Sequence, residues 1–117
     1  KFREILPHFI FLYIWMNNMT TKTDILHVMQ ANKGMLAAFG VDQVGLFGSY
    51  VREEQSPNSD IDILVHFKPE QETFDNLMFT YDLFENLFKG FKVEVVTTTA
   101  LSPYIGPQIL REVEFIS

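Results

Sequence analysis

The chain contains 117 residues, of which 47% are hydrophobic and 21% charged, so it can bury a core and is not disordered by composition. It has no cysteine, which excludes disulfides, thiolate metal sites and a cysteine nucleophile. Its formal net charge of −6 argues against long nucleic acids as direct partners, because proteins that bind them concentrate Lys and Arg.

Residues 1–19 carry an unbroken apolar run, Phe9–Met16. The run is too short to span a bilayer, which takes about 20 residues, and the residues after it lack the small-x-small pattern of a signal-peptide cleavage site. Met16 or Met19 could be the natural start, and the helical spacing of the apolar residues would also suit contact with a partner or a second copy. We expect a soluble, cytoplasmic protein with an apolar extension and no membrane anchor.

The first predicted element is a helix that begins near Thr20–Asp24 and ends at Gly40. Threonines favour the N-cap position and Asp24 suits the first turn, while glycine is typical of the position just past a helix end. Asn32–Gly34 interrupts the apolar stripe, which predicts a kink or a split in this helix.

Strands and helices alternate along the remainder of the chain. In order, the sequence predicts a strand at Val41–Phe47, a helical turn at Tyr50–Glu54, a strand at Asp60–Phe67, a helix at Phe74–Phe88, a strand at Lys92–Thr97 and a final helix at Ile109–Ile116. This order indicates an α/β (α+β) fold, with one small sheet in a single domain.

Two aspartates mark the start of the second predicted strand. Residues i and i+2 of a strand point to the same face, about 6.5–7 Å apart, so Asp60 and Asp62 project together. Carboxylates held together repel each other unless a proton or a cation lies between them. Oxygen ligands of this kind suit Mg²⁺, which also binds substrate phosphates. Taken alone, the pair could also be one turn-capping and one exposed aspartate.

Glu94 is the candidate for a third acid, because it is alone among valines in the third predicted strand. If it faces the same side as Asp60 and Asp62, one site contains three carboxylates. The exposed face of an edge strand would also account for it.

Gly48 and Ser49 come directly after the first predicted strand. Glycine lets a phosphate approach the backbone closely, and exposed amides together with the Ser hydroxyl can donate hydrogen bonds to it. Ser49 could also act only as an N-cap, which is compatible with phosphate binding. One element that holds a triphosphate and another that holds the bridging metals form the arrangement needed for in-line displacement at phosphorus.

The spacing of these residues resembles that of a known family. Gly48-Ser49, ten intervening residues and Asp60-x-Asp62 match the GS-x10-D-x-D pattern of the polymerase-β-like nucleotidyltransferases. Residues 20–117 are similar to the minimal nucleotidyltransferases, which include the MntA-type antitoxins paired with HEPN-domain toxins. The similarity includes the GLFGSYVR and SDIDILV blocks, the KVEVVT strand and the PQILREVEFI tail. It implies a nucleotidyltransferase fold, with a small mixed sheet of three or four strands flanked by helices, and it leaves residues 1–19 outside.

The resemblance also implies a role for each matching residue. Gly48 and Ser49 would hold the phosphates of the nucleotide. Asp60 and Asp62 would bind two Mg²⁺ ions, and Glu94 would stand where the third carboxylate of the metal site assists the attacking hydroxyl.

Arg52 matches an arginine that is frequent after the GS pair, where it would contact phosphate or brace the loop. It could also simply pair with neighbouring surface acids. Two positions depart from the family pattern. Glu94 stands where Asp is common, which changes the distance from metal to nucleophile, and Glu53 stands where Gly often follows the arginine, which adds negative charge near the phosphates.

By the same resemblance, the expected reaction is transfer of AMP from ATP to a hydroxyl. The acceptor would be a tyrosine on a cognate HEPN ribonuclease toxin, which makes this protein the antitoxin. A second hypothesis is an antitoxin with an idle site, which neutralises its partner by covering a basic surface. A third is transfer to a small molecule, which needs more substrate-binding surface than so short a chain offers.

Overall fold

The computed structural model of the protein describes residues 20–117. The apolar run and the predicted oligomer contact of residues 1–19 lie outside the described residues, so these predictions, and the domain boundary at residue 20, stay predictions. None of the helices within residues 20–117 has the length and hydropathy that crossing a bilayer requires.

The described residues form four α-helices, four strands and one 3₁₀ helix. They are α1 (Lys22–Ala31), α2 (Lys33–Ala38), β1 (Val41–Phe47), β2 (Ile61–Phe67), α3 (Phe74–Leu87), β3 (Val93–Thr97), the 3₁₀ helix (Thr98–Ala100), α4 (Gly106–Glu112) and β4 (Glu114–Phe115). The strands form one mixed sheet in the order β3-β2-β1-β4. β1 is antiparallel to β2 and β4, and β2 is parallel to β3. The predicted α/β fold with a small mixed sheet is confirmed.

The first predicted helix is split into α1 and α2, as its interrupted stripe indicates. A capping box begins α1: the Thr21 hydroxyl accepts from the Asp24 amide at 3.2 Å, and the Asp24 carboxylate accepts from the Thr21 amide at 3.0 Å. The Asn32 side chain donates to the Val28 carbonyl at 2.8 Å where α1 ends, a local bond that competes with helix continuation. Gly40, with φ of 84°, then turns the chain into β1.

The larger core cluster lies between the sheet and helices α1, α2 and α3. Ile61, Ile63 and Val65 alternate along β2 and are fully buried on this face. From α3 and its end, Phe84 and Phe88 fill the same cluster, with their ring centroids 6.4 Å apart. The burial of these aromatic rings supplies a large part of the apolar area that stabilises so short a chain.

A smaller cluster lies on the opposite face of the sheet, beneath α4. Leu64 of β2 is fully buried there and packs with Phe47 and Ile109. The α4-side face of β2 thus carries Leu64 between two half-buried polar residues, Asp62 near the start of the strand and His66 near its end.

The final predicted helix is wrong in its second half. α4 ends at Glu112, and β4 pairs with Gly45 and Leu46 on the open edge of β1. Val113, Phe115 and Ile116 have branched or aromatic side chains, which favour extended backbone. The outer edge of β1 offers unpaired backbone groups with which this segment can form hydrogen bonds. Gly45 makes the approach feasible, because a Cβ atom there would lie 2.7 Å from Cγ2 of Val113.

Two details concern the connection between β1 and β2. The predicted helical turn is present as consecutive hydrogen-bonded turns, in which the amides of Val51 and Arg52 donate to the Gly48 carbonyl, but it does not extend into a helix. β2 begins at Ile61, so Asp60 precedes the strand by one residue and does not begin it. The polar chain between them is a loop, as predicted.

The core cluster predicts a contrast between two phenylalanines of α3. Phe84 is 0% exposed and Phe74 is 74% exposed. Replacing Phe84 with alanine should lower the free energy of unfolding by about 3–5 kcal/mol, because it leaves a cavity, whereas Phe74→Ala should change it by less than about 0.5 kcal/mol. Urea unfolding of the two variants measures both values, and equal losses would contradict the packing described.

Candidate active site

The register of β1, β2 and β3 brings the predicted acids together. Asp62 pairs with Glu94 of β3 on one side and with Phe47 of β1 on the other. Paired residues on neighbouring strands point to the same face, and Asp60 projects to that face two residues earlier. One carboxylate oxygen each of Asp60, Asp62 and Glu94 lies within 4.8 Å of the others. Glu94 thus faces the same side as the two aspartates, which was the condition for a three-carboxylate site.

The electrostatics of this cluster favour a cation. Asp60 and Asp62 are half-buried and Glu94 is exposed. The pKa of Asp62 is raised from 3.8 to about 6, first by burial and then by the negative charges of Glu94 and Asp60. Lys92 is the nearest cation to Asp60, with Nζ at 3.9 Å from its carboxylate, but it is 80% exposed and only partly offsets the charge. Carboxylate oxygens at this spacing suit a divalent ion that prefers oxygen ligands.

The loop after β1 lies directly against these acids. Gly48 has φ of 81°, in the left-handed region, and a Cβ atom there would overlap Oδ2 of Asp62. Glycine is therefore required both by the backbone conformation and by the close approach. Ser49 follows and is half-buried, and Tyr50, only 3% exposed, anchors the loop in the larger core cluster. The loop and the three acids form one continuous site.

Gly48 and Arg52 share a partner that the sequence did not reveal. Glu112, the last residue of α4, accepts a hydrogen bond from the Gly48 amide at 2.7 Å through Oε2 and from Nη1 of Arg52 at 2.8 Å through Oε1. Nε of Arg52 also donates to Glu54 at 3.1 Å. The pKa of Arg52 is raised by Glu112 and then by Glu54. Arg52 therefore braces the loop and pairs with a neighbouring acid, two of the alternatives considered for it.

One signal in the sequence points to Glu112. A carboxylate at the C-terminal end of a helix is opposed by the helix dipole, so its presence there suggests a specific partner. The end of this helix was not predicted correctly, and the signal was therefore not visible.

The departure at Glu53 has a structural explanation. Its φ is 58°, in the left-handed region that favours glycine, which is why glycine suits this position. Glu53 is exposed, and its carboxylate makes a minor contribution to the raised pKa of Lys22, which is due first to the hydrogen bond with Glu114.

Comparison with known proteins shows the family and the fold to which the chain is similar. The nucleotidyltransferase domain family matches residues 28–116. The chain is 38% identical over 101 residues to the protein adenylyltransferase MntA of Thermococcus cleftensis, which covers 84% of this chain and 98% of that protein. A solved structure assigned as a minimal nucleotidyltransferase is similar with a TM-score of 0.69 and 28% identity, covering 81% of this chain and 95% of that one. A crystal structure of a toxin–antitoxin MntA-HpeT mutant shares the fold, with a TM-score of 0.52 and 19% identity over 82% of this chain and 71% of that one.

The raised pKa of Asp62 predicts a pH dependence of stability without metal. Between about pH 4 and 6 the folded protein holds a proton at Asp62 that the unfolded chain has lost, so this group makes stability fall as the pH rises through that window. Asp62→Asn should therefore be more stable than the unchanged protein at pH 7, with the difference shrinking toward pH 4. Urea unfolding in a chelator at both pH values measures it. A difference that is independent of pH would contradict the shift.

Proposed function

The chain belongs to the nucleotidyltransferase domain family, and on this premise we propose that it is a protein adenylyltransferase that transfers AMP from ATP to a hydroxyl of a partner protein. The observation that carries the proposal is the cluster of Asp60, Asp62 and Glu94 within 4.8 Å, next to the glycine-containing loop after β1. The choice of AMP and of a protein acceptor is supported by the 38% identity to an MntA protein adenylyltransferase.

The acids would hold Mg²⁺ in this reaction. Asp60 and Asp62 supply the carboxylate oxygens, and Glu94 stands at the same spacing on the neighbouring strand. When bound, the ions neutralise phosphate charge and steady the attacking and leaving oxygens. The fit is chemical as well as geometric, because the mutual repulsion of three carboxylates so close together is relieved by a bound cation.

The remaining roles belong to residues of the chain. The hydroxyl oxygen of the acceptor forms a bond to the α-phosphorus, the bond to the bridging oxygen breaks, and pyrophosphate leaves. Glu94 is the most exposed of the three acids, so it is the group that an acceptor can reach and the one that takes the hydroxyl proton. Ser49 and Arg52 donate hydrogen bonds to the phosphates of ATP.

The partner that we propose is a toxin, with this protein as its antitoxin. Support comes from the identity to MntA and from the shared fold with the toxin–antitoxin MntA-HpeT structure. The net charge of −6 suits contact with a basic surface. The proposal extends to a HEPN-domain toxin with a modified tyrosine, which the family resemblance of the sequence implies. It also includes a location in the cytoplasm, which we expect from the lack of a signal-peptide cleavage pattern.

The first test is transfer of label from α-labelled ATP to the product of the neighbouring gene in the presence of Mg²⁺. Asp60→Asn/Asp62→Asn keeps the shape of both side chains and removes their charge, so transfer should fall at least about 10³-fold. Asp42→Asn, an exposed acid of β1 outside the cluster, is the matched control and should transfer normally.

Absence of transfer by the unchanged protein would contradict the proposed reaction. If the double variant also continues to neutralise the toxin, the result would favour the binding hypothesis, in which the site is idle. Label that appears instead on a small molecule would favour the third hypothesis.

The role of Glu94 predicts a separation of kinetic constants. Glu94→Gln removes the proton acceptor and should lower kcat by about 10²–10⁴-fold, with a smaller change in the KM for ATP. Glu94→Asp keeps a carboxylate and should retain more activity than the glutamine variant. Steady-state kinetics with saturating Mg²⁺ measure both constants. Equal kcat values for the glutamine variant and the unchanged protein would rule out this role.

A further inference from the structure

Glu112 has no part in the reaction described above, yet it contacts two groups of the nucleotide site. We propose that Glu112 is a positioning residue: it holds the Gly48 loop and the Arg52 guanidinium in the orientation in which Ser49 and Arg52 bind the phosphates. This inference rests on the proposed function, and it adds a residue that acts on nucleotide binding without touching the reacting atoms.

The geometry of the carboxylate is the first observation. Each of its two oxygens serves a different donor, the Gly48 amide at 2.7 Å and Nη1 of Arg52 at 2.8 Å. The side chain of Glu112 is only 18% exposed, against 67% for Glu54, the other partner of Arg52. A short, partly buried, charge-assisted contact is stronger than an exposed ion pair. Glu112 therefore fixes Arg52 more firmly than Glu54 does.

The position of Glu112 in its helix is the second observation. It is the last residue of α4, where the helix dipole opposes a negative charge, and the preceding Arg111 satisfies that dipole. A carboxylate at this position therefore does not stabilise α4 itself. Ile109, one turn earlier, packs in the smaller cluster with Phe47 and Leu64, so the helix end is held rigidly beside β1 and can orient what Glu112 binds.

Glu112 could either orient Arg52 for the nucleotide or compete with the phosphates for it, and the number of free N–H groups on Arg52 decides between the two. A guanidinium carries five N–H groups, and the contacts with Glu112 and Glu54 engage one at Nη1 and the one at Nε. Three N–H groups remain for a phosphate while both ion pairs persist. The Gly48 amide is occupied by Glu112, which leaves the amide and hydroxyl of the adjacent Ser49 as the donors that the loop would offer to the nucleotide.

The test compares variants by the KM for Mg²⁺–ATP and by kcat. Glu112→Ala should raise the KM about tenfold or more, which corresponds to the loss of one charge-assisted hydrogen bond, and should change kcat less than about threefold. Glu112→Gln, which has the same shape and one acceptor oxygen, should lie between alanine and the unchanged protein. Because Glu112 acts through Arg52, the KM of the double variant Glu112→Ala/Arg52→Ala should be less than about three times the higher of the two single-variant KM values.

The control is Glu114→Ala. Glu114 is a nearby acid of the same segment, but its ion pair is with Lys22 of α1 at 3.0 Å, so the KM should remain unchanged. The thermal unfolding midpoint of Glu112→Gln should lie near that of the unchanged protein, which would show that its raised KM does not come from unfolding.

Three outcomes would overturn the inference: an unchanged KM in Glu112→Ala, a lowered KM, which would mean that the carboxylate competes with phosphate, or effects of Glu112 and Arg52 that multiply independently. The failure of the proposed function is distinguishable from these, because then the unchanged protein itself transfers no label. In that case the dissociation constant for a non-hydrolysable ATP analogue with Mg²⁺ gives the same comparison of variants.

Discussion

Phe47, Asp62 and Glu94 form one row across β1, β2 and β3, and the site is built on this row. Neighbouring strands lie about 4.8 Å apart, so the backbone hydrogen bonds of the sheet set the distance between the two acids. Their negative charges repel each other, and the burial of Asp62 strengthens the repulsion by displacing water. The pairing of the strands thus holds an arrangement of charge that the side chains alone would not adopt. The architecture of the sheet therefore accounts for an acid cluster that could hold a cation.

One face of β2 carries core residues that stabilise the fold, and the other face carries the acids of the site. Ile61 and Ile63 are 0% exposed and fix the strand in the larger core cluster. Asp60 and Asp62 alternate with them along the chain and lie on the other face. Because side chains alternate between the faces of a strand, each acid is next in sequence to an isoleucine that is buried in the core. Leu64 is buried on the acid-bearing face, so the acids of β2 are confined to the end of the strand where the Gly48 loop leaves β1.

Local chemistry made part of this structure predictable. The capping residues of α1, the break at Asn32 and the alternation of Asp60 and Asp62 with isoleucines depend on neighbours in the chain, and periodicity reveals them. The face of the sheet on which Glu94 lies depends on the register between β2 and β3. The sequence does not determine that register, so the three-carboxylate site could be predicted only on the condition that Glu94 faces the two aspartates. β4 was missed because it forms against the edge of β1, about 70 residues earlier in the chain, and such pairing overrides local helix preference.

Within residues 20–117, β3 is an outer strand of the sheet, with a strand partner on one side only. Lys92, directly before it, and Glu94 within it are both exposed and of opposite charge. Charged side chains at an outer strand discourage a second molecule from adding its own strand there. Glu94 therefore has two consequences for the molecule: it completes the acid cluster, and it places a charge on the outer strand of the sheet. Under the proposed function, one carboxylate would both serve the reaction and disfavour edge-to-edge association of the protein.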